Sequence, residues 1–147
     1  MSFDMKRKVN YLQITVIVPL LIGGVLYYYL CPDVWFVRRI NELLNVRRGA
    51  IVYSKALTLF RCYFFDLLWA YALSNALFFI CFGNKRPGAS VVLITVIFGA
   101  FMELLQLLGV AHGTFDFFDI VTEAIGAILS IITIYGIRRA SYDEKKE

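Results

Sequence analysis

The sequence predicts an all-α, polytopic membrane protein: a four-transmembrane-helix bundle with an interfacial amphipathic helix between its first two spans. Three observations predict it. Of 147 residues, 60% are hydrophobic and only 18% charged, against about 25% charged in ordinary soluble domains. Four apolar runs each approach or exceed the roughly 20 residues that cross a bilayer. The basic residues flank these runs, as orientation in a membrane requires, so the net charge of +4 does not mark a nucleic-acid surface. The length suits one domain, residues 1–147.

The first span is residues 11–31, free of charge and preceded by Lys6, Arg7 and Lys8. It is long for the apolar core of a signal peptide, and no small-residue cleavage site follows it. Residues 33–48 then show a helical pattern of their own. Phe36, Ile40, Leu43 and Leu44 recur at three- and four-residue steps, Arg38, Arg39, Glu42 and Asn45 point elsewhere, and Gly49 is a natural stop. This segment is expected to lie at the interface, its arginines within reach of phosphate headgroups or simply solvated. The second span covers about 56–82 and the third 89–111, with a Gly-Asn-Lys-Arg-Pro-Gly turn at 83–88 between them. The fourth covers 116–137, after a turn at Ala111-His112-Gly113-Thr114.

An even number of spans puts both termini on one side. The termini and second loop carry Lys6, Arg7, Lys8, Lys85, Arg86, Arg138, Arg139, Lys145 and Lys146, and the other two loops carry Arg38, Arg39, Arg47, Arg48 and Lys55. That bias predicts a multi-pass protein of the cell membrane with both termini cytoplasmic. Cys31, Cys62 and Cys81 lie within or beside apolar runs without metal-type spacing and read as small apolar residues.

Ionisable groups within spans are costly, so each is a functional candidate. On the predicted topology Arg61 and Asp66 lie about 8 and 15 Å below the outer end of the second span. Glu103 and Gln106 lie within about 12 Å of the outer end of the third, and Asp116, Asp119 and Glu123 occupy the first two turns of the fourth. These seven are the candidate ligand-binding residues, and all fall in the outer half of the membrane. Asp116, Asp119, Glu123, Gly126 and Ser130 form one stripe at steps of three and four, and Gly99, Glu103 and Gln106 another. Small residues let helices approach closely, so these two faces are expected to meet.

Five acids face one fixed cation, Arg61, with His112 nearby. A dry pocket cannot hold that imbalance ionised. Protons, a cation or cationic ligand group, or an outward aqueous vestibule must compensate it. Each residue also has a structural reading. Asp116 suits a helix N-cap and Asp119 the first turn beside the dipole; Arg61 can snorkel to the headgroups; Tyr27, Tyr28, Tyr29 and Trp35 suit an aromatic belt; His112 suits a turn. Glu103 and Glu123 are deeper and have no such alternative. There is no HExxH, GxSxG, Gly-rich phosphate loop or Cys/His nucleophile pair. The sequence therefore points away from an enzyme, names no cofactor and leaves a metal open.

Glu103-Leu104-Leu105-Gln106, then Gly113-Thr114-Phe115-Asp116-Phe117-Phe118-Asp119-Ile120, then Gly126 resembles the E-x-x-Q, G-R-x-x-D-x-x-D and N-x-x-G pattern of VanZ-like membrane proteins. The resemblance covers roughly the C-terminal third, with Arg61, Asp66 and Trp69 fitting less specifically. It implies a small multi-helix bacterial membrane protein, in a family named for an accessory protein of glycopeptide resistance whose biochemical activity is not established. Thr114 stands where many members have arginine and Glu123 where asparagine is usual, so this chain loses a cation and gains an acid in one cluster.

The expectation is an outward-facing acidic pocket that binds an envelope component, a lipid headgroup or lipid-linked sugar. A proton- or cation-coupled transporter or channel component is the second reading. A structural subunit that pairs with a homo-oligomer partner or a larger membrane protein is the third.

Overall fold

The computed structural model describes residues 5–46, 54–82, 88–111 and 113–143. Arg47, Arg48 and Gly49 of the first loop, Lys85 and Arg86 of the second, His112, Lys145 and Lys146 lie outside them. Every element among the described residues is helical: α1 (Met5–Leu12), α2 (Val18–Leu30), α3 (Trp35–Leu43), α4 (Lys55–Leu77), α5 (Gly88–Leu107) and α6 (Phe117–Asp143). Among the described residues, four helices are long and apolar enough to cross a membrane: Val9–Leu30, Lys55–Ile80, Gly88–Leu107 and Phe117–Ile137. The protein is thus an all-α, multi-pass bundle.

The first span reaches its length by joining α1 to α2 through a π-helical turn, Gln13–Ile17. Pro19 sits at the start of α2, where its ring would clash with the carbonyl four residues back and leave it without a donor. Widening the turn relieves that clash, a common use of a π-bulge. Thr15, buried within the turn, donates its hydroxyl to the Tyr11 carbonyl at 2.6 Å.

Helix ends account for the departures from the expected boundaries. α3 stops at Leu43 because Asn45 adopts φ 51°, with its N–H bonded to the Glu42 carbonyl and that of Val46 to Asn41. This is a Schellman stop. α5 ends at Leu107, short of the expected Ala111, by the same device: Gly109 has φ 70°, its N–H reaches the Gln106 carbonyl, and the Val110 N–H reaches Leu105. Ser54 caps α4 by accepting the Leu57 N–H at 3.3 Å.

The bundle is inverted relative to a soluble one. Ile14, Leu21, Leu93, Ile97, Phe101, Ile128 and Ile132 point outward, while Ser74, Asn75, Thr95, Glu103, Glu123 and Ser130 are buried. A lipid solvent makes this arrangement favourable, because apolar side chains lose nothing by facing lipid tails and polar ones must find partners inside.

Two glycines set the close packing of α4, α5 and α6. A Cβ at Gly126 would strike the backbone carbonyl of Leu67 and come within 3.2 Å of the Tyr71 nitrogen, and one at Gly99 would fall on the Glu123 carboxyl. The expected meeting of the third and fourth spans through their small-residue faces is therefore realised at Gly99. Gly126 instead seats α6 on α4.

Candidate functional site

The three-helix interior is layered. At one end Asp116 closes the α5–α6 connection. Its Oδ1 accepts the Phe118 N–H at 2.9 Å, which is the N-cap geometry expected from the sequence. Its Oδ2 accepts the Tyr63 hydroxyl of α4 at 3.3 Å. Its own N–H donates to Glu103 Oε2 of α5 at 2.9 Å. Capping and clustering are thus simultaneous here, one carboxyl oxygen serving each, and Asp116 ties α4, α5 and α6 together.

About two turns deeper, Glu123 projects from α6 between the other two helices. It is 5% exposed. Trp69 Nε1 of α4 donates to its Oε1 at 3.3 Å, and its carboxyl rests on Gly99 of α5. Glu103, also 5% exposed, lies one turn from Gly99 along α5. The stripes read from the sequence at steps of three and four therefore converge.

Asp66 and Asp119 complete the group. Asp66 is close enough to feel the charges of Asp119, Glu103 and Asp116, and Glu123 those of Asp66, Glu103 and Asp119. All five acids share one electrostatic environment at one end of the bundle. Among the described residues, no three His, Cys, Asp or Glu side chains converge as a metal-ligand set. The carboxyls are spread over two layers, Glu103 with Asp116 and Glu123 with Trp69.

Gln106 and Arg61 take different positions. The Gln106 side chain lies over Gly113, where an added Cβ would stand 2.5 Å from its Oε1, and Gly113 has φ 143°. Gln106 thus buttresses the connection that presents Asp116. Arg61 lies close enough to Cys31 and Tyr27 of the first-span region for its charge to act on both. Tyr27 feels both Arg61 and Asp66. The five-residue spacing of Arg61 and Asp66, which does not keep to one helix face, places them on different sides of α4.

A groove of about 670 Å³ runs along α2, α3 and α4, lined by Gly23, Tyr27, Phe36, Val37, Phe65 and Trp69 among others. Val37 of α3 is buried, and Asn41 of α3 accepts the Tyr28 hydroxyl at 2.9 Å, which ties α3 to α2 beside the groove. Trp69 forms part of its wall while its indole N–H reaches Glu123. Apolar groove and acidic layer therefore adjoin across one side chain.

Tyr63, Tyr27 and the groove were not legible as site features. Aromatic residues in a span are compositionally indistinguishable from lipid-facing ones, and only the hydroxyl and indole bonds to Asp116 and Glu123 separate them. Fold and site together define a polytopic helical membrane protein with an acidic interior. No family model, curated protein or solved structure matches the chain.

Proposed function

We propose that this chain is a VanZ-like protein of the bacterial cell membrane, both termini cytoplasmic, whose acidic cluster opens outward and binds an envelope lipid through its headgroup or linked sugar. The observation that carries this reading is the adjacency of the two surfaces. Asp66, Glu103, Asp116, Asp119 and Glu123 offer carboxyl acceptors to hydroxyl or amine donors, and the groove beyond Trp69 offers an apolar bed to an acyl chain. An amphiphile needs both, and ligand sites in general combine apolar walls with a few placed polar groups. Gln106 holds the connection over the cluster, and Arg61 beside Tyr27 is the contact for an anionic part of the ligand. A role in envelope or glycopeptide response follows from the resemblance of Glu103 to Gly126 to the VanZ-like pattern.

The test is native mass spectrometry of gently solubilised protein beside an Asp119→Asn variant. A bound lipid in the wild type that is lost from the variant supports the reading. Retention of a stoichiometric protein with no lipid moves the cluster to a subunit interface. A proton- or cation-coupled role is the second reading, favoured by five acids sharing one interior; ion flux in proteoliposomes that Glu103→Gln abolishes would establish it.

A further inference from the structure

The groove and the acidic cluster meet across a boundary that carries both signs of charge. α2 and α4 run antiparallel along the groove: a Cβ at Gly23 would stand 2.8 Å from Leu68, the Tyr27 ring meets Phe65 edge-on at 5.0 Å, and Cys31 lies within the field of Arg61. Arg61, Phe65 and Leu68 follow at steps of four and three and so share one face of α4. Phe65 and Leu68 line the groove. Arg61 therefore stands at its end, where α2 gives way to α3. Asp66 lies about 7.5 Å further along α4, on the cluster side of Trp69, where the charges of Asp119, Glu103 and Asp116 act on it. Tyr27, in the groove wall, feels both Arg61 and Asp66.

The acids are short of donors. The Tyr63 hydroxyl goes to Asp116, the Asp116 N–H to Glu103 and the Trp69 indole to Glu123, and none of these reaches Asp66 or Asp119, which are half-buried. One turn below Asp119, Glu123 is 5% exposed and keeps Oε2 without a hydrogen-bond partner. The other two unpartnered buried side-chain oxygens among the described residues, Ser130 Oγ and Asn75 Oδ1, lie roughly two turns deeper along α6 and α4 and take no part. The cluster thus lacks positive charge and N–H donors together. A sugar brings donors without charge. A phosphate or pyrophosphate by itself adds an anion beside five acids, a like-charge juxtaposition that specific sites avoid. A primary ammonium brings three donors and the compensating charge.

We propose that the site selects a zwitterionic phospholipid with a primary ammonium head. Its phosphate sits at Arg61 at the end of the groove, its ammonium turns past Trp69 to Asp66 and Asp119, and an acyl chain lies along Gly23 and Gly24. The inference rests on the reading of groove and cluster as one lipid site, and it names the headgroup. Charge complementarity sets the order: each end of the head meets its opposite, and the chain fills the apolar length between α2 and α4.

The full chain, solubilised and delipidated in detergent, is titrated with phosphatidylethanolamine, phosphatidylcholine and phosphatidylglycerol of identical acyl chains, and retention is read by native mass spectrometry. Phosphatidylethanolamine is expected to bind at least tenfold more tightly than either of the others. Choline keeps the charge but has no N–H, so equal binding of the first two overturns the role given to the ammonium. Tightest binding of phosphatidylglycerol overturns the zwitterion and leaves the lipid reading standing, whereas retention of no lipid removes that reading and this inference with it. Two variants separate head from chain. Asp66→Asn is expected to lower phosphatidylethanolamine binding to the level of the other two lipids, and an unchanged preference would overturn the proposal. Gly24→Leu fills the groove at a position where an added Cβ meets nothing within 4 Å. It is expected to weaken all three lipids alike, at least tenfold, and undiminished binding would overturn the placement of the acyl chain.

Discussion

The Glu123 carboxyl occupies the space a side chain at Gly99 would need, so the two residues depend on each other. A methyl group at position 99 competes with the carboxyl for one volume, and overpacking of this kind costs about 1–3 kcal/mol. Gly99→Ala is therefore expected to lower the unfolding midpoint in detergent, and Gly99→Ala with Glu123→Ala to recover part of the loss, a non-additivity a double-mutant cycle measures. Trp69 is the second partner. Trp69→Phe keeps an aromatic wall on the groove but removes the indole N–H that donates to Glu123 Oε1, leaving a buried carboxyl oxygen unpaired at about 1–3 kcal/mol. Loss of stability equal to that of Trp69→Phe in a Glu123→Ala background would show that the indole acts through packing instead. Glu103 and Glu123 were legible as candidates because acids in apolar runs have few structural reasons to exist. Of their partners, Trp69 stood out only as a less specific part of the family resemblance and Tyr63 not at all, since both belong to a residue class that also lines lipid-facing surfaces.

The helices are limited by local stops, and these differ in how clearly sequence announces them. Asp116 caps α6 through Phe118, so Asp116→Ala is expected to cost about 0.5–2 kcal/mol. Asp116→Asn retains the cap and isolates the loss of charge, so comparing lipid retention by Ala and Asn variants separates the two duties of this side chain. Gly109 ends α5 in the left-handed region. Gly109→Ala should destabilise by about 1–2 kcal/mol, checked by thermal unfolding, although nothing packs where the new Cβ would stand. The stop at Gly109 lies inside a run that stays apolar to Ala111, which is why hydropathy alone extends the third span too far. The N-cap at Asp116 is visible beforehand, because an acid after Gly113-Thr114 and ahead of an apolar run is itself the signal.

Across the whole molecule, the polar interior and apolar exterior follow from one rule: in lipid, the hydrophobic effect does not drive helices together, and close backbone approach and internal hydrogen bonds do. Gly126 against Leu67 and the Ser74–Thr95 bond are instances of each. Four crossings require both termini to share a compartment, so reporter fusions at residues 1 and 147 are expected to report the same side, and a fusion in the 83–88 loop that side as well. Opposite readings at the two ends would mean that one of the four helices does not cross. The groove beside α3 exists only at this scale, because it needs α2, α3 and α4 held together by Val37 and the Tyr28–Asn41 bond.

Sequence by itself determined the all-α class, the four spans and the identity of the acids, because bilayer thickness imposes a length, composition exposes it, and charge within a span is conspicuous. It also placed Glu103 and Glu123 on converging faces through helical periodicity. Tertiary structure alone decided that Arg61 turns toward Tyr27 and Cys31, that Gln106 braces Gly113, and that Trp69 stands between groove and cluster. Those outcomes depend on the rotation and register of one helix against another, set by contacts such as Gly126 on Leu67 between residues far apart in the chain, which no local pattern encodes.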